Sequence, residues 1–576
     1  MSENPMNEPV PDSSPNPKQP PQLRQVADGV ANTKTGKSSA IMAAGTLVSR
    51  VLGFVRQWLL VVAIGGFGIA DSFNTANILP NTLYNLLAGG ILNAILVPTI
   101  VRALANNSGK EGVDRVNALL TLASIALLGL TVLSVALAWP LVMLFAGGMQ
   151  PKLFNLTVIF ALWCLPQIFF YGTYALLGQV LNSLSSFGPY MWSPVVNNLV
   201  GIAGLGVFIN LYGTAPAHDF DVSKWDAARI ALLAGSMTLG IALQAIILVF
   251  PLMHLGFRLR ANFHWRGLGF RHTGRVAAWA FAGLLANTLM NLIVARIASA
   301  ANGAGQVDGN FYPGFAIYQY ANTLYMLPQS LVTISVTTAV FTSMALHATR
   351  DDIPALAGDY LQAARLSSLF NFLLAGMLIV GALPLANVTA TALPPQQAQA
   401  LAVILIILSL GIPGQVIFST TSRALYSLED TRTQFFLMLP FPFLTALLGF
   451  VAYVLLSPSF WVPVTAAAEP LSLSSSALVG LVMLRRQGFS KAVFAQVFGH
   501  YLRLFVAVIV AGIPAWVLLT FVIPSPGANW TYGATFVSGA WRCLVVALVM
   551  APLYFAVLWI FRVREVRGFA GKLRRR

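Results

Sequence analysis

A helix crosses a bilayer core with about 20 mostly apolar residues, and runs of that kind recur along this chain from residue 40 to residue 561. That recurrence points to one fold class, an all-α polytopic membrane protein. Only 9% of the 576 residues are charged and 57% are hydrophobic, with mean hydropathy +0.74. Soluble domains carry roughly 25% charged residues. The spacing predicts about 14 transmembrane helices, near 40–64, 73–101, 116–145, 153–183, 190–212, 228–253, 276–300, 314–346, 361–386, 398–427, 434–456, 461–484, 495–523 and 538–561. Residues 1–36 are rich in Pro, Asn and Ser and are predicted to be a disordered cytoplasmic tail with no cleavable signal peptide. Cys164 and Cys543 lie in apolar runs, so neither a disulfide framework nor a cysteine metal site is expected.

The net charge of +16 is a topology signal. With the N-terminus inside, the basic stretches "RALANNSGKEGVDR", "FRLRANFHWRGLGFRHTGR", "HATRDD", "EDTR", "RRQGFSK" and "RVREVRGFAGKLRRR" all fall on the cytoplasmic side. Lys152, Lys224, Arg229 and Arg542 are the main exceptions. The basic tail 563–576 suits anionic membrane lipids. Nucleic acid is not an expected partner.

Two arginines break the apolar pattern of helix 1, "LVSRVLGFVRQWLLVVAIG". Arginine at a bilayer centre costs roughly 2.5–3.5 kcal/mol on insertion scales. With Arg50 at zero and about 100° per residue, Gln57 falls at about −20°, Thr46 at about −40°, Gly53 at about −60°, Ser49 at about −100° and Arg56 at about −120°. These residues form one polar stripe, and Leu47, Val48, Val51, Leu52, Val55, Trp58 and Leu59 lie outside it. Arg50 and Arg56 could pair with buried acids and merely glue the bundle. Acids are scarce in the apolar runs, with Asp71 just past helix 1 and Glu469 inside helix 12. A cavity that receives an anion is the favoured reading, because a guanidinium binds two phosphate oxygens at once and stays charged. Arg296, in "NLIVARIASAA" of helix 7, is expected to face the same cavity.

An internal echo links helix 2 to helix 8. Ala76-Asn77 precedes Leu79-Pro80, and Ala321-Asn322 precedes Leu327-Pro328. Repeats six helices apart suggest two six-helix lobes plus two C-terminal helices. The corresponding boundaries are 37–253 for the N-lobe, 254–485 for the C-lobe and 486–562 for the last pair. Pro80, Pro194, Pro328 and Pro413 are candidate bends.

Four stretches carry a family resemblance: "SRVLGFVRQ" (49–57), "ADSFNTANILPNTLYNLLAGGILNAILVP" (70–98), "GQVLNSLSSFGPYMWSPVVNNLV" (178–199) and "ALYSLEDTRTQ" (424–434). Together they resemble the MurJ (MviN) family of lipid II flippases, within the multidrug/oligosaccharidyl-lipid/polysaccharide exporter superfamily. The resemblance implies a two-lobed, alternating-access transporter in the bacterial inner membrane, with both termini cytoplasmic. Its cargo would be lipid II, the undecaprenyl-pyrophosphate-linked peptidoglycan precursor, with a basic central cavity for the pyrophosphate. Helices 13 and 14 would form a groove for the isoprenoid tail. The implied state is a monomer that works beside cell-wall synthesis proteins.

The family's first-helix arginines carry over to Arg50 and Arg56, with Ser49 and Asp71 at matching polar positions. The chain departs from the family pattern at Gln57, at Tyr84 and Asn85 after Leu-Pro-Asn, and at Asn322-Thr323 in helix 8. There an acid and an arginine are lost, and Arg296 is the expected replacement. The expected substrate-binding set is therefore Arg50, Arg56, Arg296, Ser49, Gln57, Tyr84, Asn85, Asn322 and Thr323.

No catalytic residue, metal or cofactor is expected. Coupling to the membrane potential or to a monovalent cation is anticipated, with Glu469 and Asp71 as candidate ion-coupling groups. Three alternatives compete: a related polyprenyl-linked polysaccharide flippase, a drug/cation antiporter, and a membrane glycosyltransferase using Asp219, Asp221 and Asp226 to hold a divalent metal.

Overall fold

The computed structural model describes residues 35–89, 110–184, 186–214, 222–263, 274–391, 393–523 and 532–567. Among them there is no strand. Twelve helices are long and apolar enough to cross a membrane, and a bent pair makes a thirteenth. Helix 2 starts at Ile69 and runs to a turn ending at Gly89; its continuation lies outside the described residues.

In chain order, helix 1 is Thr35–Ile64, helix 3 is Lys110–Ala136 continued by Ala138–Ala146, and helix 4 is Pro151–Cys164 with Gln167–Ser183. Helix 5 is Phe187–Tyr212 and helix 6 begins at Ala227. Helix 7 is Gly274–Asp308. Helix 8 is Phe315–Pro328, a turn, then Ile334–Thr349. Helices 9 to 12 begin at Ile353, Pro395, Thr431 and Pro458, and helices 13 and 14 at Lys491 and Tyr532.

Helix 1 packs on helix 5, and helix 5 on helix 6. Helix 7 packs on helix 11, helix 10 on helix 12, and helices 13 and 14 on each other and on helix 9.

Several helix ends differ from the hydropathy reading for a local reason. Helix 9 starts at Ile353 rather than 361, because the Asp352 carboxylate accepts the Ala355 N–H at 3.0 Å and Pro354 occupies the first turn. Hydropathy alone misses such a polar start. Asp71 lies in the first turn of helix 2 and not in the connection before it. The tail 563–576 begins folded: Val563 is buried, and Glu565 reaches Arg365 of helix 9 at 4.0 Å.

The echo between helices 2 and 8 has a structural counterpart. Pro80 is followed by a π-turn at Tyr84–Gly89, and Pro328 by one at Gln329–Thr333. Proline removes one ladder hydrogen bond, and a wider turn absorbs the defect. Helix 10 breaks between Ser409 and Ile412 with a 46° bend beside Pro413. Pro194 lies inside an unbroken helix 5.

Polar contacts between the two halves cluster at the end holding the helix 1 C-terminus and the helix 8 N-terminus. Tyr320 Oη donates to Gly65 O at 2.9 Å, and Asn74 Nδ2 donates to Tyr320 Oη at 3.4 Å. Phe67 meets Phe311 edge-on at 5.5 Å. Small residues let backbones touch here: a Cβ on Gly148 would lie 2.8 Å from Ala300 Cα and 2.9 Å from Ala300 N. Gly148→Val is expected to cost about 1–3 kcal/mol of this closed seam, read as a lower unfolding temperature of the purified protein.

Candidate functional site

The polar stripe of helix 1 is split by its neighbour. On one flank Asn198 Nδ2 of helix 5 donates to Ser49 O at 2.8 Å and to Ser49 Oγ at 3.2 Å. Gly53 lies over the same asparagine. Arg56 lies along helix 5: its Nη1 donates to Asn197 Oδ1 at 3.4 Å, and a Cβ on Gly201 would sit 2.6 Å from Arg56 Cδ. Gly201 is therefore the slot that admits the arginine stem. On the other flank Thr46 is exposed, and Arg50 and Gln57 are half-buried. Neither arginine forms an ion pair among the described residues.

Aromatic rings extend this site. Tyr171 lies within electrostatic reach of Arg56 and stacks on buried Tyr84 at 6.1 Å. Tyr174 stacks on Tyr190 at 4.8 Å. Asn197, Asn198, Tyr171, Tyr174 and Tyr190 were not among the expected site residues. The adjacent asparagines in an apolar helix were a legible signal, whereas half-buried tyrosines look like ordinary packing residues. Asn85 is exposed and donates to Asn81 Oδ1 at 3.1 Å.

The remaining expected residues lie elsewhere. Asn322 of helix 8 is half-buried, and its Oδ1 has no hydrogen-bond partner among the described residues. Thr323 Oγ1 donates to Gln319 O of its own helix at 2.8 Å. Arg296 is not brought to the helix 1 stripe: its Nη1 donates to Met143 O of helix 3 at 2.9 Å, across the seam between the two halves.

Asp71 is fully buried in the same seam. Its Oδ1 accepts the Ala316 N–H at 2.6 Å and its Oδ2 accepts from Asn302 Nδ2. The carboxylate thus joins helix 2 to helices 7 and 8. Glu469 is buried in the first turn after a break in helix 12 and accepts from Tyr318 Oη at 3.5 Å. Asp219 and Asp221 lie outside the described residues. Asp226 caps helix 6 by accepting the Arg229 N–H at 2.9 Å.

Two guanidiniums on one membrane helix, without an acidic partner among the described residues and set beside tyrosine hydroxyls and asparagine amides, can bind a multivalent oxyanion. Comparison with known proteins gives the family. The family model described as "Lipid II flippase MurJ" matches residues 39–534. A probable lipid II flippase MurJ of Rhizobium meliloti (strain 1021) is 26% identical over 412 residues, covering 69% of this chain and 71% of that protein. A lipid II flippase MurJ of Burkholderia cenocepacia is 25% identical, covering 89% and 95%.

Among solved structures, an inward closed lipid II flippase MurJ matches with TM-score 0.63 at 19% identity, covering 88% of this chain and 98% of the other. An inward-facing multidrug resistance MATE family transporter of the MOP superfamily matches with TM-score 0.60 at 13% identity, covering 78% and 95%. These structural likenesses establish the fold alone. The match through residues 39–534 establishes more: this chain belongs to the MurJ family of lipid II flippases.

Proposed function

We propose that this protein moves lipid II from the inner to the outer leaflet of a bacterial inner membrane by alternating access, with the pyrophosphate held at Arg50 and Arg56. The observation that carries the reading is that, among the described residues, neither arginine of this membrane helix has an acidic partner. A buried cation without an acid is unfavourable, and a diphosphate supplies the missing charge. Arg50, on the open flank with Gln57, makes first contact. Arg56 is oriented by Asn197 and receives the anion more deeply. Ser49 and Tyr84 shape the site through helix 5 and Tyr171. Asn85, Asn322 and Thr323 line the path of the sugar-peptide, which needs hydrogen bonds rather than charge.

The contacts of Asp71, Tyr320 and Arg296 close the end that the charge pattern assigns to the outside. Opening that end requires these bonds to break together, which supports a two-state alternation. The isoprenoid tail stays in lipid along helices 13 and 14. Anionic lipids hold the basic tail, and the working unit is a monomer beside cell-wall synthesis proteins. A drug/cation antiporter is disfavoured because its cationic cargo would meet two arginines.

An inside-negative potential favours outward movement of a negative cargo by about 2.3 kcal/mol per charge per 100 mV. Glu469, with Tyr318 beside it, is assigned to return of a proton or monovalent cation. Glu469→Gln is expected to slow lipid II translocation severalfold while leaving lipid II binding unchanged, measured by transport in proteoliposomes beside a binding titration. Equal rates in mutant and wild type would remove Glu469 from the cycle. The experiment for the main assignment is lipid II translocation in proteoliposomes with Arg50→Ala.

A further inference from the structure

A cavity of about 470 Å³ opens where helix 3 meets helix 7. Met143 and Leu144 form one wall, and Leu292, Ile293 and Ile297 the other. Among the described residues, Arg296 is the one charged residue in its lining. Leu144 is 52% exposed and Arg296 is exposed, so the site faces outward from the protein. Arg296 commits Nη1 to Met143 O and forms no ion pair among the described residues. Gly147 lies directly beneath the guanidinium, where any Cβ would collide with it.

The depth of the site sets the ligand chemistry. Helix 3 ends at Ala146 and helix 4 begins at Pro151, so Arg296 sits near a membrane face. The charge pattern makes that face the outer one. Trp139, exposed at the same end of helix 3, suits the interfacial belt where lipid phosphates lie. An apolar slot whose rim carries a guanidinium without an acidic partner among the described residues matches an amphiphile with an anionic head and hydrocarbon chains. The cargo site is built on helices 1 and 5, whereas this one is built on helices 3 and 7.

We propose that this cavity binds an outer-leaflet phospholipid, its phosphate on Arg296 and an acyl chain against Leu144, Leu292 and Ile297. The two walls belong to opposite halves of the molecule, so the lipid binds the outer-closed arrangement more tightly than the open one. Differential affinity of that kind biases the equilibrium toward closure. The inference rests on the charge-derived topology and not on the identity of the cargo.

Native mass spectrometry of the full-length protein titrated with phosphatidylglycerol tests it. Arg296→Gln removes the cation, and Leu144→Trp fills the slot while keeping the cation. Each is expected to weaken the tightest-retained lipid by about tenfold, while millimolar inorganic phosphate leaves that lipid in place in the wild type. Unchanged retention in either variant would overturn the proposal. Displacement by inorganic phosphate would make the site a simple anion site, and displacement by lipid II would make it part of the cargo path; either result also overturns it.

Discussion

Arg50→Ala is expected to lower lipid II translocation by about 10- to 100-fold, the equivalent of about 1.4–2.8 kcal/mol, without destabilising the protein. The two effects separate because Arg50 forms no ion pair among the described residues. Removing it also relieves an insertion penalty of roughly 2.5–3.5 kcal/mol. The variant should therefore melt at or above the wild-type temperature while failing to transport. Arg50→Lys should restore only part of the activity, since a point charge cannot grip two phosphate oxygens as a guanidinium does. Arg56→Ala should behave differently. Its side chain fills a slot against Gly201 and bonds Asn197, so both transport and unfolding temperature should fall. A stable but active Arg50→Ala protein, measured in proteoliposomes, would contradict the site.

Asp71→Ala is expected to shift the molecule strongly toward the outward-open state. Its carboxylate bonds the Ala316 N–H and Asn302 across the seam, and the N–H groups of Gly68 and Phe315 also face it. Hydrogen bonds to charged groups contribute about 1.5–3 kcal/mol each, so losing two cross-seam bonds can invert an equilibrium between two closely balanced states. Truncation also strips the start of helix 8 of its acceptor. Spin-label distances between the outer ends of helices 3 and 7 should lengthen in the variant, and Asp71→Asn should lie between variant and wild type. An unchanged distance distribution would show that the seam closes without this carboxylate.

Much of this architecture was written in the hydropathy pattern. Arg50 and Arg56 stood out because a charge inside an apolar run is conspicuous, and their angular spacing placed them on one stripe. The division of that stripe was hidden, because it depends on where Asn197, Asn198 and Gly201 of helix 5 come to rest. Arg296 shows the limit of repeat reasoning. Six-helix periodicity related helix 7 to helix 1, yet helix 7 is apolar on several faces, and nothing local shows which one meets helix 3. The Asp71 seam joins residues 231 and 245 positions apart in sequence, beyond the reach of any local pattern. The break in helix 10 was marked by Pro413, but the bend of 46° is a property of packing.

The chain is a transporter and not an enzyme, which removes the glycosyltransferase reading. The direct measurement is accessibility of lipid II at the outer face of cells in which this protein is the sole lipid II flippase, before and after its depletion. Outer-leaflet lipid II is expected to disappear on depletion, to return with the wild-type chain and to stay absent with Arg50→Ala. Undiminished outer-leaflet lipid II after depletion would contradict the flippase assignment.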